Sequence, residues 1–115
     1  MKLISLSVCL FCLLFSNLTL AHVSLASSAP AKGEVLSVSP AELALAFSGN
    51  VRVVKVVLKN SEGKKIDFGF TPPKAWSKKF SWPVSNLPSG TYQVNWVIMG
   101  KDGHKMKGSY EFIIQ

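Results

Sequence analysis

Beyond residue 21 the apolar positions alternate in short runs and never recur at helical spacing. Leu43, Leu45 and Phe47 share one parity, and that run ends at Ser48-Gly49-Asn50, a turn-forming triplet. Val51–Lys59 is dense in valine, with Val54, Val56 and Leu58 on one face. Asn60-Ser61-Glu62-Gly63 predicts a turn, Lys64–Phe68 a short strand, and Thr71-Pro72-Pro73 a break. Trp76, Phe80 and Trp82 share a parity across Ala75–Trp82. Leu87-Pro88-Ser89-Gly90 turns into Thr91–Ile98, where Tyr92, Val94, Trp96 and Ile98 alternate with Thr91, Gln93 and Asn95. Tyr110, Phe112 and Ile114 line one face of Gly108–Ile114, while Ser27–Gly33, rich in Ser, Ala, Pro and Gly, reads as an extended lead-in. About seven short strands with no helical period predict an all-β fold, an antiparallel sandwich or small Greek-key barrel. Trp96, Tyr92, Phe112 and Phe47 are its expected core.

The N-terminus has a different composition. Lys2, the apolar run Leu3–Phe15 and the small-residue ending Thr19-Leu20-Ala21 form the pattern of a secretory signal peptide, residues 1–21, cut after Ala21. Ser5, Ser7, Ser16, Asn17 and Thr19 dilute the run and no positive cluster follows it, which argues against a retained membrane anchor. Cleavage leaves 94 of the 115 residues, a single domain over 22–115. Cys9 and Cys12 leave with the signal, and neither sits in the small-residue pattern of a lipoprotein site. The mature chain then has no disulfide and no thiolate metal site. The formal charge of +7 becomes +6 once Lys2 is lost. Export and the scatter of the lysines through turns and solvent faces argue against a nucleic-acid partner; a solvated basic surface is the expectation, with an acidic partner or anionic membrane surface as the weaker option.

Cleavage would make His22 the first mature residue. A terminal histidine offers its α-amine and its imidazole Nδ1 to one metal ion. The other histidine of the chain, His104, closes the triplet Asp102-Gly103-His104. Asp-Gly is a preferred hairpin turn pair, so on its own the triplet also fits a turn beside a solvent-exposed histidine. In extended backbone, however, Asp102 and His104 would project to one face. With His22 they would offer three nitrogens and one oxygen, a set that suits tetragonal Cu(II). Structural zinc usually takes four protein side chains, often thiolates, which are missing. Amine and imidazole bind only when deprotonated, so affinity should fall with pH. Lys101, Lys105 and Lys107 would oppose a cation at this loop.

The mature chain resembles the CopC family of periplasmic copper-binding proteins, particularly its short YobA-like members. Four stretches carry the resemblance: His22-Val-Ser-Leu with Ser28-Ala-Pro-Ala-Lys-Gly33, Leu43-Ala-Leu-Ala-Phe-Ser48, Leu87-Pro-Ser-Gly-Thr-Tyr-Gln-Val-Asn-Trp96, and Asp102-Gly-His104 followed by Gly108-Ser-Tyr-Glu-Phe112. The resemblance implies a seven-stranded Greek-key β-barrel related to cupredoxin and immunoglobulin-like folds. It implies one Cu(II) per chain bound through His22, Asp102 and His104, a role in periplasmic copper homeostasis or resistance, and a CopD-type inner-membrane partner. With Gln115 the last residue, that partner is expected to be a separate chain. Two features depart from the family. Some members carry a glutamate where this chain has Gly49. Some have a methionine-rich Cu(I) site in mid-chain, whereas residues 59–75 lack methionine and Met99 and Met106 alone remain after cleavage. A single Cu(II) site with no second Cu(I) site is expected.

Two other functions compete. A metal-free immunoglobulin-like interaction module would be indifferent to loss of His22 and His104. A copper monooxygenase would use the same terminal-histidine chelate, but a domain of this size offers little surface for a polysaccharide. No catalytic residue is expected, and the domain reads as a monomer that does not insert in the membrane.

Overall fold

The computed structural model describes residues 22–115. The expected signal peptide and both cysteines lie outside the described residues. Among the described residues seven strands follow one another: β1 (Leu25–Ala29), β2 (Val35–Leu36), β3 (Glu42–Lys59), β4 (Lys65–Ile66), β5 (Ser77–Pro83), β6 (Gly90–Met99) and β7 (Lys105–Ile114). They form a curled mixed sheet in the order β1-β3-β6-β7-β2, with β4 and β5 also paired to β3. All pairs are antiparallel except β2 with β7.

The 18-residue β3 is the spine of this arrangement. Its first half pairs with β1 and β5, and its second half with β6 and β4. The turn expected at Ser48-Gly49-Asn50 does not form: the strand continues through it, with its register against β5 shifting between Ala46 and Val51. Ser48 is instead tied to the N-terminal segment, its N–H donating to the Ser24 carbonyl at 2.9 Å while its Oγ accepts from the Ser24 N–H at 3.0 Å. These bonds give the triplet an extended partner, and that outweighs its local turn preference. A second irregularity falls between Val53 and Lys55. The bulge shifts the parity, so the inward residues are Val51, Val53, Val56 and Leu58, and Val54 is left half-buried, not on the inner face.

Along β6 the alternation is regular: Tyr92, Val94, Trp96 and Ile98 are buried between half-buried neighbours. Phe47, Tyr92, Trp96 and Phe112 all lie in the core, as their parity predicts. Phe47 meets Trp96 edge-on at 5.4 Å between ring centres, and Tyr92 stacks on Phe112, also at 5.4 Å. The Tyr92 hydroxyl donates to the Pro88 carbonyl four residues upstream at 2.6 Å, the arrangement of a tyrosine corner. It pins the turn that enters β6. Gly108 on β7 lies under Trp96, where an added Cβ would stand 2.3 Å from the indole Cζ2. Only a residue without a side chain lets that ring lie flat against β7. Trp76, expected on the inner face with Phe80 and Trp82, is exposed, because it precedes the first residue of β5.

Candidate metal centre

Residues 100–104 join β6 to β7 in a tight hairpin. The Gly103 N–H donates to the Gly100 carbonyl at 3.0 Å, and the Gly100 N–H to the His104 carbonyl at 3.0 Å. Gly103 has φ +83, in the left-handed region. This is a three-residue loop made of a turn followed by a left-handed glycine, a standard way to reverse two strands. Asp102 and His104 are therefore brought together by the turn and not by extended backbone, the route expected from their spacing.

Their contact is specific. Asp102 Oδ1 accepts from the His104 backbone N–H at 3.0 Å, and Oδ2 lies 2.9 Å from His104 Nδ1. With both oxygens on one histidine, the carboxyl is held below the ordinary aspartate range, chiefly by the bond to the imidazole and then by the backbone N–H. A carboxylate on Nδ1 fixes the ring and leaves Nε2 as the free lone pair, as in many metal-ligating histidines. Both side chains are exposed to solvent, His104 at 84% and Asp102 at 66%. Asp102, expected as an oxygen donor, here holds His104 through both of its carboxylate oxygens.

His22 is exposed and is the first described residue. Its neighbour Val23 is half-buried and packs on the core beside Gly49, where an added Cβ would stand 3.2 Å from Val23 Cγ2. Leu25 pairs with Phe47, and Met99 pairs with Arg52. Continued by a few residues, the first register carries His22 and the second carries the 100–104 loop towards the same part of β3, around Asn50 and Val51. Gly49 is thus the place where the N-terminal segment lies against the spine. Asp102 and His104 are assembled, whereas His22 is not joined to them: among the described residues no three His, Cys, Asp or Glu side chains gather into one cluster. Of the two remaining methionines, Met106 packs against the core and Met99 is half-buried beside Arg52.

Fold and loop together define a class, a cupredoxin-like β domain with a carboxylate-oriented histidine at one end. The CopC domain family matches residues 25–115, and the chain belongs to that family. It is 32% identical over 115 residues to copper resistance protein C of Pseudomonas syringae pv. tomato, covering 90% of this chain and 88% of that protein. It is 30% identical over 99 residues to Protein YobA of Escherichia coli (strain K12), covering 83% and 80%. The solved structure of CopC from Methylosinus trichosporium OB3b superposes with a TM-score of 0.70 at 24% identity, over 82% of this chain and 94% of that one. CopC copper-binding proteins are non-enzymatic, and CopC-family proteins are periplasmic.

Proposed function

We propose that the chain, cut after Ala21, is a periplasmic Cu(II)-binding protein of copper homeostasis or resistance. One Cu(II) is held by the His22 α-amine and Nδ1 and by His104 Nε2, with Asp102 supplying the negative charge and the orientation of His104. The observation that carries this reading is the Asp102–His104 pair, which leaves one imidazole nitrogen free and aimed by its partner. Three nitrogen donors beside a carboxylate suit Cu(II) better than a hard cation. Membership of the CopC family, whose members bind copper, points the same way. The convergence of the two registers on β3 supports His22 as the further donor, because cleavage frees its amine at that end of the domain. Only two methionines, Met99 and Met106, follow residue 21, too few soft ligands for a separate methionine-rich Cu(I) site, which supports a single Cu(II) site. The cargo is buffered or passed to a CopD-type membrane partner.

The test is a Cu(II) titration of the protein beginning at His22, beside a version with one extra residue before it, read by electron paramagnetic resonance. One-to-one binding with three nitrogens, lost in the extended version, is expected. Equal and weak binding by both would mean that the site is not built on His22 and would bring the metal-free interaction module forward.

A further inference from the structure

Six cations share the outer face of the sheet formed by β3, β6 and β7. Arg52 lies beside Met99, which lies beside Lys105; Lys55, Val97 and Lys107 form the next outward row. Lys59 lies next to Gln93 on one side and Lys65 of β4 on the other. In these rows the one acid is Glu111, opposite Gln93. Among the described residues the single ion pair is Asp102 with His104, so no contact neutralises any of the six. Lys55, Lys59 and Lys65, with Asn95, line a shallow depression of about 250 Å³. At the far end of the face Thr91 pairs with Ile113 and Ile113 with Val35. Ile113 and Val35 are 38% and 52% exposed, two of the four exposed large hydrophobics.

We propose that this face docks on an anionic bilayer surface, with phospholipid phosphates seated among Lys55, Lys59 and Lys65 and with Val35 and Ile113 entering the headgroup boundary. Three features favour a lipid surface over an acidic protein. The cations are lysines in all but one case, flexible point charges that are depleted from protein interfaces. No aromatic anchor stands on the face, because the exposed Trp76 belongs to the other half of the fold. Charge combined with exposed aliphatic groups is what an interfacial surface presents to lipid. The Arg52–Met99–Lys105 row adjoins the 100–104 loop, so docking would bring the loop close to the membrane. The proposal does not rest on copper, and its test uses metal-free protein.

Residues 22–115, which contain every core residue named above, are sedimented with vesicles of phosphatidylglycerol and phosphatidylethanolamine (~1:3) and with phosphatidylcholine alone. Binding to the anionic vesicles alone, weakening as salt rises from about 50 to about 300 mM, is expected. Lys55→Gln with Lys107→Gln should weaken it about 25-fold, at about fivefold per charge near the surface. Lys74→Gln with Lys78→Gln removes the same charge elsewhere and should change it less than about threefold. Equal loss in both pairs would overturn the proposal, since net charge alone would then govern binding. So would the absence of vesicle binding at low salt, or binding to soluble polyglutamate without binding to vesicles. Variants that keep the strand spectrum of the parent in circular dichroism report on the surface and not on folding.

Discussion

Asp102 and His104 are joined twice across Gly103, once through the backbone N–H at 3.0 Å and once through Nδ1 at 2.9 Å. The second bond decides which ring nitrogen is free. A loop histidine of ordinary kind would rotate; this one is held at Nδ1, which leaves Nε2 as the free nitrogen.

The pairing has a titration signature. It depresses the Asp102 carboxyl, with the imidazole bond as the largest cause. A depressed folded-state value means that the contribution to stability is present above the ordinary carboxylate range and is lost as pH falls through the lower folded value. A carbon-13 NMR titration should place the Asp102 midpoint below the aspartate norm, and His104→Ala should return it towards that norm. An unchanged midpoint in the variant would show that the pair does not form in solution.

Copper affinity should rank the two residues. Asp102→Asn keeps the shape of the side chain but loses the charge, and should weaken Cu(II) by about 10–100-fold, the usual cost of losing an orienting partner. His104→Ala removes a donor and should cost more than that. Competition titration against a chelator of known affinity measures both. Equal affinity of His104→Ala and parent would remove His104 from the site.

Gly108→Ala tests the packing of Trp96. The added methyl would stand 2.3 Å from the indole, so the ring must move out of its well. Overpacking of this kind costs about 1–3 kcal/mol, equivalent to a fall in Tm of about 4–8 °C per kcal/mol in a domain of this size. Thermal unfolding with tryptophan fluorescence reads the stability and the ring's environment together.

Tyr92→Phe removes the hydroxyl that holds Pro88 and leaves the stack on Phe112 in place. The expected loss is about 1 kcal/mol by denaturant unfolding. Trp96→Ala, which empties the centre of the core, should cost about 3–5 kcal/mol. A Tyr92→Phe loss as large as that would mean that the corner carries more than one hydrogen bond.

Much of the fold was legible wherever side chains alone decide which face is inside. The parity of β6 and the end of β7 could be read directly, because every inward residue there is large and apolar. The continuity of β3 could not. Ser48, Gly49 and Asn50 carry turn chemistry, and what keeps them extended is Ser24, a residue some two dozen positions away. The bulge at Val54 was hidden for a related reason: in a run of valines either parity looks apolar. At the 100–104 loop the triplet was visible, but the paired hydrogen bonds between Asp102 and His104 were not, because they depend on the turn that folds the carboxylate back. Aspartate two residues before a backbone N–H is the signal that pointed there.

The unbroken β3 also bears on how the domain comes apart. One strand supplies a ladder to both halves, so opening either half disturbs the strand on which the other pairs. Local opening is then costly, and unfolding is expected as a single cooperative event, with no long-lived half-folded form. Both chain segments proposed to hold the metal rest near the middle of that strand. If the domain carries copper as proposed, it is either whole and able to hold its ion or open to proteolysis, with little population in between.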